Sequence, residues 1–192
     1  ERIFAIGSPD IDIMMKKDLP TKEGLKKYYD MQFEKYAILI FHPVTTELDD
    51  LENQTNELVS GAIDSKRNYV IIYPNNDPGS EIILNVYKKL ENNANFRIYP
   101  SLRFEYFLTL LKNADFIIGN SSSGIIEAEI YSVPTINVGT RQKNRSSNES
   151  IMNVESKKES FKKSASVLAL HKYLIENKQT IDSNRYYPHK TR

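Results

Sequence analysis

The chain has 192 residues, 40% of them hydrophobic, and a formal net charge of +1 at neutral pH. That is enough apolar material for one ordinary domain with a proper core, and too little charge to imply a nucleic acid or an anionic membrane as partner. The absence of cysteine excludes a disulfide framework and a thiolate metal site, and no apolar run approaches the roughly 18 residues that would span a bilayer. A soluble cytoplasmic protein is the expectation. Because the chain opens at Glu1 and enters the apolar run IFAIG almost at once, it is expected to be a piece of something longer.

In chain order, Arg2 to Ile6 reads as a short strand, with a linker or edge strand equally consistent, closed by a turn at Gly7-Ser8-Pro9-Asp10. Thr21 opens a polar helix that runs to about Asp30, with Glu23 in its first turn. Tyr36 to Phe41 is apolar on both faces, the pattern of a strand covered by helices on both sides, and it ends at His42-Pro43. From Glu47 to about Lys66, Leu48, Leu51, Leu58, Val59, Ala62 and Ile63 recur at helical spacing behind an acidic first turn.

The alternation then repeats. Tyr69 to Tyr73 is a second buried strand, stopped by Pro74 to Gly79, and Ser80 is expected to cap a helix to about Asn92. Phe96 to Ile98 is a weaker strand, and Phe104 to Lys112 a helix with Phe107, Leu108 and Leu111 inward. Asp115 to Arg145 reads as a buried strand, a serine–glycine loop, a short helix, a second buried strand and a loop carrying Arg141, Lys143 and Arg145. Ser156 to Asn177 is amphipathic and lysine-rich, and the end of the chain, from about residue 179, has the composition of a tail. Strand–helix alternation without hairpin signals predicts an α/β fold with a mostly parallel sheet flanked by helices.

In such sheets ligands bind beyond the carboxyl ends of the strands. The strands of this chain run out into His42, Asn75, Asn120 with Ser121, Ser122 and Ser123, and Thr140-Arg141. The serine loop has neither the P-loop spacing nor the dinucleotide fingerprint. Its hydroxyls and the N–H groups of the following helix nevertheless make an anion site. Glu127 lies one helical turn beyond Ser123. Beside a diphosphate a carboxylate is repelled, so ribose hydroxyls suit it better; the alternative is that the serines merely cap the helix and Glu127 favours its positive end. A lone histidine is more commonly structural, yet at a strand end facing an anion site His42 is suited to bond or protonate a departing phosphate oxygen. His171 and His189 have no partner at ligand spacing, so no metal is expected.

Four ordered motifs carry a resemblance. FHPVTTE (Phe41 to Glu47), YPNNDPGS (Tyr73 to Ser80), GNSSSGIIEA (Gly119 to Ala128) and INVGTRQKNR (Ile136 to Arg145) closely resemble the hydrolysing UDP-N-acetylglucosamine 2-epimerases of sialic acid biosynthesis, and GSPDID resembles the segment that leads into that family's C-terminal domain. His42-Pro43 and the Ser121-Ser122-Ser123-Gly124 loop side with the hydrolysing branch rather than the non-hydrolysing one. Asn144 stands where the family usually has glycine; asparagine tolerates positive φ, so the turn is expected to survive.

The resemblance implies the Rossmann-like, UDP-binding C-terminal half of a GT-B-like two-domain enzyme, with residues 1–20 as an interdomain lead-in, 21–178 as the nucleotide-binding domain and 179–192 as a tail. It implies His42 as the catalytic residue assisting departure of UDP. It also implies Asn75, Ser121, Ser122, Ser123, Glu127 and Arg141 as nucleotide contacts, with uracil near Leu102 and Arg103. The implied reaction eliminates UDP to a 2-acetamidoglucal and adds water to give N-acetylmannosamine, with no cofactor. The partners implied are UDP or UDP-N-acetylglucosamine, an N-terminal domain supplying the base at C2, and further copies in a homo-oligomer. A GT-B glycosyltransferase and a non-catalytic nucleotide-sugar module are the alternatives, and related enzymes that use GDP-linked sugars leave the base open.

Overall fold

The computed structural model of the chain describes residues 9–145, 148 and 150–157. The expected strand at Arg2 to Ile6, nearly all of the expected helix from Ser156 and the whole of the expected tail lie outside these residues. Six strands, β1 (Ala37–Ile40), β2 (Tyr69–Ile72), β3 (Phe96–Tyr99), β4 (Ile117–Gly119), β5 (Thr135–Val138) and β6 (Ile151–Val154), form one sheet in the order β3-β2-β1-β4-β5-β6. Every neighbouring pair is parallel, as the absence of hairpin turns requires. The chain winds from β1 outward to β3, then returns to lay β4 on the other side of β1. Beyond the carboxyl ends of β1 and β4 the connections diverge to opposite faces of the sheet, the place where open parallel sheets bind ligands.

The helices are α1 (Pro9–Met14), α2 (Lys22–Tyr28), α3 (Leu51–Asp64), α4 (Ser80–Tyr87), α5 (Phe104–Lys112) and α6 (Glu127–Ile130). The two-residue alternation of a strand splits the apolar residues of β1 between two cores. Leu39 and Phe41 pack with Leu58, Val59, Ile83 and Val86 of α3 and α4, whereas Ile38 and Ile40 pack with Leu25, Leu108 and Leu111 of α2 and α5. This is why the strand is apolar throughout. Leu39 and Ile38 are fully buried, each contributing about 2 kcal/mol of apolar transfer. No described helix is long and apolar enough to cross a membrane.

Several local expectations are corrected. Pro9 and Asp10 open α1 instead of closing a turn, because proline at the first helical position gives up an N–H that a helix start leaves unpaired anyway, and aspartates favour the positive end. Ile11 and Met14 of α1 are buried, and Tyr131 Oη donates to the Met14 carbonyl at 2.8 Å. Ser80 is the first residue of α4 and not its cap; that place belongs to Gly79 at φ 94°, where a Cβ would lie 2.8 Å from the side chains of Leu48 and Leu51. The long helix from Glu47 begins as a 3₁₀ turn, Leu48–Asp50. Strand β6 has no counterpart among the expected elements: it is a short edge strand of intermediate burial, too weakly patterned to read.

Candidate functional site at the carboxyl ends of β1 and β4

The site begins with Gly119, which ends β4 at φ 133°. A Cβ there would lie 1.8 Å from the Ile40 carbonyl oxygen, so only glycine lets β4 pass this close to β1. Asn120 comes next, its N–H donating to Ile40 O at 3.1 Å. The Asn120 side chain then reaches across to the residue after Phe41. His42 N–H donates to Asn120 Oδ1 at 2.7 Å, and Asn120 Nδ2 donates to the His42 carbonyl at 2.9 Å.

The imidazole of His42 is buried, 6% exposed, and its Nδ1 accepts the backbone N–H of Asn75 at 3.1 Å. A ring nitrogen that accepts carries no proton, so the neutral ring holds its hydrogen on Nε2 and presents a donor. Burial, with Arg141 nearby, pushes the His42 pKa down to about 4, against a smaller opposing pull from Asp77. Around neutral pH the free protein therefore holds an uncharged hydrogen-bond donor there. Of the two expected actions, bonding a phosphate oxygen is the one this state favours.

Arg141 and Gln142 converge on the same point from the loop after β5. Arg141 Nη1 and Gln142 Nε2 donate to the Asn120 carbonyl at 3.1 and 3.0 Å. Arg145 in turn donates to Gln142 Oε1 at 3.0 Å, and Asn144 takes φ 63°, so the turn expected to survive without glycine does. Arg141 is thus the loop cation that turns inward; Lys143 and Arg145 are exposed.

The serine loop departs from its expected form. Ser122–Gly124 is a 3₁₀ turn, and α6 starts only at Glu127. Ser121 Oγ accepts from Ser123 N–H at 3.3 Å, which is the capping role, and its hydroxyl hydrogen stays available to donate. Thr135 Oγ1 donates to the Gly124 carbonyl at 2.6 Å and pins the loop to β5. Glu127 receives a hydrogen bond from Ser123, while its Oε2 is buried without a hydrogen-bond partner among the described residues. Burial raises the Glu127 pKa, and Asp10 adds to the effect. A buried, unpartnered carboxylate oxygen is costly to the free protein and a ready acceptor for hydroxyl donors.

The structure therefore brings His42, Asn75 and Arg141 together around Asn120, from which the serine loop leads on to Glu127, held by Ser123. Asn75 takes part through its backbone, its side chain being exposed. Leu102 is not drawn into this cluster. It lies in the loop after β3, two strands from β1, and packs against the core shared by α2 and α5. Asn120 is placed at the strand ends by the sequence without a ligand contact, and Gln142 is missed; their burial, 1% and 2% exposed, is the absent signal. A recess of about 660 Å³ opens beside the site, lined by Glu47, Gln54, Thr140, Lys143 and Asn153 among others, and none of the residues expected to contact the nucleotide lines it. Among the described residues no group of three or more His, Asp or Glu side chains converges in a metal-binding arrangement.

With this geometry established, a sequence profile described as UDP-N-acetylglucosamine 2-epimerase matches residues 1–191. The chain belongs to the UDP-N-acetylglucosamine 2-epimerase family. It is 46% identical over 155 residues to the UDP-N-acetylglucosamine 2-epimerase of Neisseria meningitidis serogroup B, covering 81% of this chain and 41% of that protein. Over 156 residues it is 31% identical to the UDP-N,N'-diacetylbacillosamine 2-epimerase (hydrolyzing) of Legionella pneumophila, with 81% and 41% covered. The chain thus spans about 41% of the length of these family members. Among solved structures, it superposes with a TM-score of 0.67 and 22% identity on the Methanocaldococcus jannaschii UDP-GlcNAc 2-epimerase in complex with UDP-GlcNAc and UDP, covering 86% of this chain and 47% of that one. The fold is accordingly Rossmann-like, a six-stranded parallel sheet flanked by helices, like that of GT-B-like UDP-GlcNAc 2-epimerases.

Proposed function

We propose that this chain is the UDP-binding C-terminal half of a hydrolysing UDP-N-acetylglucosamine 2-epimerase that converts UDP-N-acetylglucosamine to N-acetylmannosamine and UDP. The observation that carries the proposal is the convergence of a fixed Nε2–H donor on His42, the Arg141 guanidinium and the serine loop that follows Asn120, with an unsatisfied Glu127 oxygen beside Ser123. The first three suit a diphosphate and the last suits ribose hydroxyls. Family membership and a hydrolysing relative at 31% identity support the same direction.

In this reaction a base outside the chain removes the proton at C2, the C1–O bond breaks, and its electrons leave with UDP to give 2-acetamidoglucal. Water then adds across C1 and C2 with inverted configuration at C2. His42 donates a hydrogen bond to the departing phosphate, and Arg141 with the serine loop stabilises the charge that builds there. Neutral His42 costs less desolvation than a buried imidazolium in the free protein. Ser121 and Ser122 contact the phosphates while Ser123 holds Glu127, Asn75 acts through the His42 ring, and Leu102 borders the uracil. The enzyme works in the cytoplasm as a homo-oligomer.

The test has two parts. Titration of the chain with UDP and GDP should give binding for UDP and a weaker response for GDP, while the chain alone turns over no UDP-N-acetylglucosamine. The longer protein should release UDP and N-acetylmannosamine from it. Formation of UDP-N-acetylmannosamine, or transfer of the sugar to an acceptor, would overturn the hydrolysing assignment.

A further inference from the structure

Three rim segments meet at one residue. Asn120 Oδ1 accepts His42 N–H, Asn120 Nδ2 donates to His42 O, and the Asn120 carbonyl accepts both Arg141 and Gln142. Residues 42 and 120 are 78 positions apart, and 120 and 141 are 21 apart, so nothing local in the chain relates His42 to Arg141. The carboxamide alone offers a donor and an acceptor at the spacing of a backbone N–H and C=O; aspartate cannot donate, and serine is too short to span both. Asn120 is 1% exposed, and its backbone N–H is already held by Ile40. Its position is therefore set by the sheet, and what it grips inherits that position.

We propose that Asn120 is the positioning residue of the site, clamping the backbone of His42 and the guanidinium of Arg141 into one rigid unit so that the Nε2–H and the cation are aimed at the same anion. Gln142 is its brace. It is 2% exposed, donates to the same carbonyl and is itself held by Arg145, so the Asn120 carbonyl keeps its orientation. Without the clamp, the hydrogen bond of the ring to Asn75 is no longer backed by a fixed His42 backbone, and a ring whose backbone can shift loses its single tautomer. Two donors separated by a fixed distance bind a diphosphate better than two that wander, because the ordering cost is met on folding and not on binding. The role of Asn120 in ligand binding rests on the function proposed above; its hold on His42 does not.

The experiment compares the chain with Asn120→Ala and with Gln142→Leu, reading ¹⁵N NMR signals of the His42 imidazole without ligand and then the affinities for UDP and for uridine. In the unsubstituted chain His42 should show one tautomer, Nε2 protonated and Nδ1 accepting. In Asn120→Ala the nitrogen signals should move toward tautomer averaging. UDP affinity should fall about tenfold, as for loss of one well-aligned hydrogen bond, with the Arg141 contact to the backbone carbonyl kept and uridine affinity changed less than about twofold. If Asn120→Ala does not fold, Gln142→Leu should weaken UDP by about threefold and leave uridine unchanged. A folded Asn120→Ala with the single tautomer intact, an equal loss of UDP and uridine, or an unchanged UDP affinity in Gln142→Leu overturns the proposal. Tautomer averaging in Asn120→Ala, with no UDP binding by the unsubstituted chain, sustains the clamp and sinks the UDP assignment instead.

Discussion

The ring Nδ1 of His42 accepts the backbone N–H of Asn75 at 3.1 Å, and this one contact decides which ring nitrogen carries the hydrogen. Folding also lowers the His42 pKa from an ordinary 6.5 to about 4, chiefly by burial and then by Arg141. As the pH drops, the unfolded chain takes up this proton first. The stability tied to the neutral ring is therefore full above about pH 6.5 and is lost progressively toward pH 4, by about 3 kcal/mol over the whole window. Urea unfolding as a function of pH should reveal that slope, and His42→Asn should flatten it. An equal slope in the variant would place the proton elsewhere.

Arg141 donates to the Asn120 carbonyl while standing beside His42, so its planar fork is already oriented before ligand arrives. Lysine retains the charge but has no fork to satisfy the carbonyl and an oxyanion together. Arg141→Lys is expected to weaken UDP about tenfold, and Arg141→Ala further. Isothermal titration at two salt concentrations checks this, with the alanine variant also showing the shallower salt dependence.

Glu127 keeps one carboxylate oxygen buried without a hydrogen-bond partner among the described residues, and burial raises its pKa. Removing the charge relieves that cost, so Glu127→Gln should raise the Tm of the free chain at neutral pH. The gain should fade at lower pH, where the wild-type carboxyl protonates in the fold. The same variant should bind UDP less tightly and lose most of the preference for UDP over 2'-deoxy-UDP. If Glu127→Gln leaves that preference whole, the carboxylate does not hold the ribose.

Gly119 permits the close passage of β4 against β1, at φ 133° with a virtual Cβ 1.8 Å from Ile40 O. Gly119→Ala combines a disfavoured backbone conformation with a clash against main chain that cannot step aside, and should cost on the order of 4 kcal/mol or prevent folding. Chemical denaturation measures it. Gly24→Ala is the control: that glycine has an ordinary φ, and its nearest contact is Thr21 Oγ1 at 3.3 Å, so the loss should be far smaller.

How much of this is legible in the sequence varies with the range of the interactions. The apolar run at 37–41 points to a strand covered on both faces, because the period-two split of its residues between two cores is written locally. Arg141 is the cation of its loop nearest the end of β5, and it is the one that bonds Asn120. The start of α1 reads as a turn because proline and aspartate serve turns and helix beginnings alike. Strand β6 escapes notice because an edge strand pairs on one side only and leaves a weak pattern.

By itself the amino-acid sequence determined the alternating parallel architecture, the polar strand ends and the motifs that mark the family, since periodicity and turn chemistry act over a few residues. Only the tertiary structure decided that His42 is a neutral Nε2–H donor, that Asn75 contributes its backbone rather than its side chain, and that Asn120 joins them to Arg141. Those facts depend on burial and on hydrogen bonds between residues 33 and 78 positions apart. Such separations close only when the sheet forms, because it is the pairing of β1 with β2 and with β4 that brings these strand ends within hydrogen-bonding reach.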